Sequence, residues 1–332
     1  MRPVVIVLAL VLDLVLGDPC WLPHPVRLFG RIISLYERVL VGITRRPLIL
    51  LGGGLVLAVA LPLGVWWGAR WFLDLAYGWN YWVGLATESC LLATTVALKG
   101  LGQAALAVRD LLKTGDLPGA RREVGMIVGR DVDRLDASGV IRAAVESVAE
   151  NTVDAVIAPL FYAFLGGAPL ALAYRAVNTL DSMVGYRRAH YRYLGWASAR
   201  LDDLLNFLPA RLAVSLFILT AFLWRADVRR TWQVLCRDGR KHASPNSGLP
   251  EAAMAGLLGV RLGGPCFYGG ELHSRPYLGE ERVPLEVEHI TQAVKALYWV
   301  SFQGLLVGVI LYLLLELGAK MICGAFSSGP GF

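Results

Sequence analysis

Apolar residues in this chain gather into long runs separated by polar stretches. Val4 to Leu16 is apolar except for Asp13. It resembles the core of a signal peptide, but Gly17-Asp18-Pro19 follows where a small-residue cleavage site would stand, so it reads as a short first membrane segment that stays attached. Leu48 to Trp67 is twenty residues without a charge, and a helix needs roughly 20 to cross a hydrocarbon core. Trp66, Trp67 and Trp71 sit where an interfacial aromatic belt belongs. Tyr81 to Leu98 is a third run, with Glu88 inside it. Val153 to Tyr174 is a fourth, broken by Pro159 and by Gly166-Gly167-Ala168-Pro169. Leu204 to Trp224 is a fifth, containing Pro209 and Arg211, and Leu297 to Leu317 is a clean sixth.

The polar stretches are residues 17–47, 99–152, 175–203 and 225–296, and all four are rich in Arg. Positive charge marks the cytoplasmic side, yet simple crossings would alternate the loops between sides. Some broken segments must therefore fail to cross, and 153–174 and 204–224 are the candidates for re-entrant or cavity-lining elements. The expectation is an all-α, polytopic integral membrane protein. It has about four to six membrane segments, some broken or re-entrant, with polar helices and loops on the cytoplasmic side. No repeat and no linker divides residues 1–332, which read as one integral membrane domain in a cell membrane.

Composition agrees. The chain is 56% hydrophobic and 17% charged, whereas an ordinary soluble domain has about 25% charged residues. Disorder and small disulfide scaffolds are excluded. The net charge of +6 fits the positive-inside bias. Lacking a Lys/Arg block with interleaved aromatics, the chain is not read as a nucleic-acid binder. Cys20, Cys90, Cys236, Cys266 and Cys323 are scattered and form no CxxC pair, so they read as small apolar fillers.

Five clusters could carry chemistry. In the first, Pro19, Pro23 and Pro25 stiffen a loop that holds Asp18, His24 and Arg27. In the second, a helix capped by Asp136 or Ser138 carries Glu146, Glu150 and Asp154 at i, i+4 and i+8. These drift only about 40° per step and line one face. Stacked carboxylates repel unless a cation sits among them, and with Asn151 they form an oxygen-only set suited to Mg²⁺. The plainer alternative is a solvated face with an Arg142–Glu146 pair. Third, Arg175, Asn178 and Asp181 share a helix flank. Fourth, in the segment Asp202 to Arg211, either Asp202 or Asp203 falls with Asn206 on one side of a helix entering the bilayer, where Arg211 is a further candidate, although an acidic pair also suits a helix N-terminus. Fifth, His242 and the Ser244-Pro245-Asn246-Ser247-Gly248 loop lead into a helix start at Pro250-Glu251, whose exposed N–H groups could hold an anion. No Walker A, GxGxxG or nucleophile-elbow pattern occurs.

The segments GDPCWLPHPVR (17–27), GRD (129–131), ESVAENTVD (146–154), RAVNTLDSMVGY (175–186), DDLLNFLPAR (202–211) and SPNSGLPEAAMAG (244–256) occur in order. Together they resemble the adenosylcobinamide-phosphate synthase family of cobalamin biosynthesis, the CbiB/CobD type, over about residues 11–317. The resemblance implies a membrane enzyme joining the carboxylate of adenosylcobyric acid to an aminoalcohol, such as aminopropanol phosphate, with ATP and Mg²⁺. Such an enzyme neutralises phosphates with Mg²⁺ and Arg and needs a base for the amine proton.

On that reading Glu146, Glu150, Asp154, Asp181, Asp202 and Asp203 hold Mg²⁺-phosphate, with Asn151, Asn178 and Asn206 assisting. Arg27, Arg130, Arg175 and Arg187 contact phosphate or corrin carboxylates, and Asp18, Asn246 and Ser247 complete the substrate contacts. Catalysis falls to Glu150, Asp154, Asp181 and the proton-transfer candidates His24 and His242. The partners are the corrinoid, the aminoalcohol phosphate, membrane lipids and other cobalamin-assembly membrane enzymes. Two other classes compete. A transporter also has broken helices and intramembrane acids, but its acids belong in mid-span. An Asp-rich, Mg²⁺-dependent membrane transferase finds only a faint echo in Gly129-Arg130-Asp131-Val132-Asp133.

Overall fold

A computed structural model describes residues 1–17, 24–186 and 191–327, the last seven by backbone alone. Its helices begin with α1 (Arg2–Leu16), α2 (Pro25–Ile43), α3 (Pro47–Trp79), α4 (Tyr81–Ala93), α5 (Leu98–Lys113) and α6 (Leu117–Gly125). Next come α7 (Ala137–Thr152), a π turn over Val153–Ile157, α8 (Ala158–Val184), α9 (Tyr191–Leu194), α10 (Trp196–Leu205) and α11 (Phe207–Leu223). Beyond them lie α12 (Val228–Asp238), α13 (Gly248–Leu258) and α14 (Glu288–Ser327). The strands β1 (Leu262–Gly263), β2 (Cys266–Tyr268), β3 (Glu271–His273) and β4 (Tyr277–Leu278) form two small antiparallel pairs, β1 with β4 and β2 with β3.

Among the described residues four helical stretches are long and apolar enough to cross a membrane: Pro47–Trp79, Tyr81–Lys113, Ala137–Val184 and Glu288–Lys320. A fifth is α10 with α11, bent by 45° at their junction. The protein is therefore an all-α polytopic membrane protein. α1 falls short of a full crossing: its 15 residues rise only about 22 Å against a core of about 30 Å. The apolar side chains of α3 and α14 that turn outward, among them Leu55, Val59, Leu63, Leu311, Leu314 and Leu315, give the surface a lipid-facing helix needs. Trp67, Trp71, Trp79 and Trp82 are also exposed, at the end of α3 and the start of α4.

The continuous rod α7–π–α8 forms the centre. Val140, Ala144, Val148 and Ala149 are buried, as are Val156, Leu160 and Ala171, so most of the rod is covered, as a largely internal helix must be. Its first break follows from Pro159. The proline has no N–H, and its ring crowds the carbonyl four residues earlier. That carbonyl, Ala155 O, instead accepts from Ala97 N at 3.0 Å. The second break is Gly167, with φ 72° and ψ −166°. Both breaks fall in the segment whose Pro and Gly content marked it as discontinuous, and the bend before α11 falls beside Pro209.

The acids inside the first apolar runs are occupied at helix ends. Asp13 Oδ2 accepts from Lys99 N, in the first turn of α5, at 3.0 Å. Glu88 reaches the break in α8.

Candidate functional site

Asp136 starts α7, its Oδ1 accepting from Gly139 N at 2.7 Å. α7 carries Glu146 and Glu150, and the π turn carries Asp154. A π turn disturbs the hydrogen-bond ladder and recurs at functional sites. Here Asp154 O accepts from Arg175 Nη1 at 3.2 Å and from Tyr174 Oη at 3.4 Å. Arg175 also donates to Asn178 Oδ1 at 3.0 Å. Asn178 in turn donates through Nδ2 to Asp154 Oδ2 at 3.2 Å and to Asp202 Oδ1 at 3.5 Å. Asn206 donates to Asp202 Oδ2 at 2.9 Å and accepts from Tyr174 Oη at 2.8 Å. One amide thus bridges carboxylates from two elements far apart in sequence.

Asp154 senses the charges of Asp202 and Glu150, and Asp181 those of Asp203 and Glu150. Asp181 and Asp203 also act on Asp202. Five carboxylates therefore sense one another here, and Asp154 among them also senses Arg175. Asp181 and Glu150 carry no side-chain hydrogen bond among the described residues. Asp203 is anchored to the loop before α13: its Oδ1 accepts from Ser244 Oγ at 3.0 Å, and its carbonyl accepts from Asn246 Nδ2 at 2.7 Å.

Glu146 does not join this group. Although it shares a helical face with Glu150 and Asp154, it is buried against Arg130, and its Oε1 accepts from Gly263 N at 2.6 Å. Arg275 approaches it at 3.8 Å and Glu251 at 3.3 Å. Arg130 therefore neutralises a protein carboxylate, as does Arg275. Burial, and then the Glu146 charge, push Glu251 well above the usual carboxylate range. Although burial opposes it, Glu251 and Glu146 hold Arg275 protonated. The helical face splits because Glu146 finds partners in the β1–β4 region, whereas Asp154 faces α8 and α10.

His242 and Glu150 lie between the two groups. Burial, and then Arg275, lower the His242 pKa, with Glu150 opposing. Its Nδ1 accepts from Ser244 N at 3.1 Å, so the neutral ring carries its proton on Nε2 and presents a donor. His24 likewise accepts at Nδ1, from Val26 N at 3.3 Å, and caps α2. Neither imidazole presents Nδ1 as a base, which shifts proton acceptance toward the carboxylates. The His242 shift has a consequence for stability. Below about pH 6.5 the unfolded chain protonates this histidine while the folded chain resists, so the unfolded state binds more protons and stability falls as pH falls. Thermal unfolding in detergent from about pH 7.5 to 5 should show a smaller loss for His242→Gln than for the parent. Equal losses would refute the assignment.

Asn151 is held on its own helix, donating to Ser147 O at 2.9 Å and Ser147 Oγ at 3.2 Å. Asn246 accepts from Arg211 Nη1 at 3.3 Å, and Ser247 stands at the N-cap of α13 with its N–H directed to Ser244 Oγ at 3.5 Å. Arg27 lines a groove of about 530 Å³ with Arg31, Ser34, Arg38 and Met183. Met183, two residues after Asp181 and so on nearly the opposite side of α8, turns toward α2, and the groove is lined by none of the acidic group. Asp18 and Arg187 lie outside the described residues. Sequence reasoning missed Tyr174, Glu251 and Arg275 as parts of the site, while Ser244 fell in the loop it had singled out. Glu251 had a signal, an acid in an otherwise apolar helix, but its position in the first turn marked it as a helix-start residue.

The donors that could serve a divalent cation are hard oxygens, which suits Mg²⁺. Among the described residues no three His, Cys, Asp or Glu side chains form a ready cage. Mg²⁺ shared with phosphates typically takes only one or two protein carboxylates, and Asp154 and Asp202, bridged by Asn178, fit that smaller requirement.

The sequence profile of the CobD/Cbib protein family matches residues 6–297. A cobalamin biosynthesis protein CobD from Klebsiella pneumoniae is 47% identical over 295 residues, covering 88% of this chain and 92% of the relative. A cobalamin biosynthesis protein CobD from Listeria monocytogenes is 43% identical over 306 residues, covering 92% and 96%. A cobalamin biosynthesis protein CbiB from Salmonella typhi is 44% identical over 300 residues, covering 89% and 92%. No solved structure matches.

Proposed function

The chain belongs to the CobD/CbiB family of cobalamin biosynthesis proteins, and from that membership we propose that it forms the amide between adenosylcobyric acid and an aminoalcohol phosphate, such as (R)-1-amino-2-propanol phosphate, giving adenosylcobinamide phosphate. The observation that carries the reading is the Asn178 bridge between Asp154 and Asp202, set against Arg175.

The chemistry needs an activated acyl donor. The γ-phosphoryl group of ATP passes to the corrinoid carboxylate, giving an acyl phosphate and ADP. The amine nitrogen then attacks the acyl carbon. The C–N bond forms, the C–O bond to phosphate breaks, and phosphate leaves with the electron pair. Asp154 and Asp202 would hold a Mg²⁺ ion, which would supply charge neutralisation on the phosphates. Arg175, fixed by Asp154 O and Asn178, orients the anion it faces, and Arg27 extends the basic surface. Asp181, whose carboxylate is free of hydrogen bonds among the described residues, accepts the amine proton. Asn206 and Tyr174 hold Asp202 in place, and Ser244 and Asn246 hold Asp203.

A corrin is large, flat and edged with amides, and it suits a wide polar groove at the membrane surface. The site faces the cytoplasm, the side of the Arg-rich stretches, in a cell membrane where lipids and other cobalamin-assembly enzymes are its neighbours. The test uses purified protein with adenosylcobyric acid, aminopropanol phosphate, Mg²⁺ and ATP, with mass detection of the amide. ATP-dependent appearance of adenosylcobinamide phosphate is expected. Absence of the amide, with corrinoid-independent flux across vesicles instead, would replace this reading with transport.

A further inference from the structure

Glu88 and Arg2 meet the same break in α8 from its two sides. At Gly167 the backbone takes φ 72° and ψ −166°, a conformation essentially confined to glycine. Pro169, just beyond, has no N–H to offer. The first half of α8 therefore ends in unpaired carbonyls, and the second half begins with unpaired amides. Arg2 Nη1 donates to Phe164 O at 3.3 Å and to Leu165 O at 2.8 Å. On the other side Glu88 Oε1 accepts from Ala168 N at 3.5 Å, while its Oε2 accepts from Tyr77 Oη at 2.7 Å. A cation thus stands at the carboxyl end of one half-helix and an anion at the amino end of the next, matching both dipoles. A Cβ on Gly167 would come within 2.8 Å of Glu88 Oε1, so glycine is also what lets the carboxylate approach.

A carboxylate buried within an apolar span is unfavourable unless it has a task. The second half of α8 carries Arg175, Asn178 and Asp181, the side chains that meet Asp154 and Asp202. A helix turns about 100° per residue, so a slip of one residue at the break would swing Asn178 off its two carboxylates. We propose that Glu88 is a positioning residue for this site. By capping Ala168 N–H it fixes the angle and rotational phase of the half-helix that presents Arg175, Asn178 and Asp181.

The kinetic arm of the test rests on the amide-forming reading, whereas the distance arm does not. Spin labels at Leu165 and Ser182, both exposed, report the geometry across the break in a cysteine-free full-length protein in nanodiscs. Glu88→Ala is expected to shift or broaden the distance and to lower kcat for amide formation about 10²-fold, the penalty of a displacement of about 1 Å at a reacting centre. KM should change little. Glu88→Gln, which keeps an oxygen for Ala168 N–H, should restore the parent distance and at least a third or so of kcat, on the order of a neutral hydrogen bond replacing a charged one. If the Ala variant does not accumulate, Glu88→Asp, which withdraws the carboxylate by one methylene, is read the same way. Parent-like distances and kcat in the Ala or Asp variant would overturn the proposal. If the parent makes no amide, the amide-forming reading fails alone, and the distances decide the role of Glu88.

Discussion

Asp154→Asn and Asp202→Asn should each lower amide formation by about 10²–10³-fold, the range for losing one electrostatic group at a transition state, while leaving membrane insertion and helix content unchanged. Asn has the shape of Asp. In the Asp154 variant the new amide can still turn its oxygen toward Asn178 Nδ2, and in the Asp202 variant it can do so once Asn206, which now donates to the other Asp202 oxygen, turns its own amide to accept. What is lost is charge. Asp154 and Asp202 stand among Glu150, Asp181 and Asp203, and removing one negative charge from such a group relieves repulsion. The unfolding temperature should therefore hold or rise as activity falls, a separation that damage to the fold cannot produce. Ala replacements of Glu150, Asp154 and Asp181 should abolish product. Near-normal turnover in all of these would remove the acidic group from the mechanism.

Arg275→Met carries the largest effect on stability. Arg275 is mostly buried and serves Glu251 at 3.3 Å and Glu146 at 3.8 Å. Glu146 retains Arg130, but Glu251 would lose its ion-pair partner among the described residues and, its pKa already pushed up by burial, would take up a proton. Removing one partner of a buried pair costs up to about 3–5 kcal/mol, enough to unfold much of a marginally stable protein. Adding Glu251→Gln puts a neutral side chain in place of the stranded acid, so the double variant should recover most of the loss. Detergent-denaturation midpoints of the parent, both single variants and the double variant measure the coupling. Strict additivity would show that the pair is not a unit.

How far the sequence reached can be judged from two stretches of the central rod. Pro159, and Gly166 with Gly167 and Pro169, announce breaks because ring sterics and a φ near +70° are local properties. The location of the breaks was legible, as was the assignment of the long apolar runs to membrane helices. The Glu146, Glu150 and Asp154 spacing was legible too, and α7 carries the first two while the π turn that follows carries Asp154. Their division was not. Glu146 answers to Arg130, Gly263 and Arg275, whereas Asp154 answers to Asn178 and, through it, Asp202.

The sequence by itself determined what short-range physics controls: helix-forming runs, the residues that interrupt them, a cap for α7 at Asp136 or Ser138 and the side of a helix on which an acid falls. The two small strand pairs, the Asn178 bridge, the Arg275–Glu251 pair and the joining of Arg2 and Glu88 at one break were decided only by the tertiary structure. Each of these unites groups from separate segments. A carboxylate's charge can be neutralised by any nearby cation or amide, so only the packed helices select which partner comes within hydrogen-bonding distance.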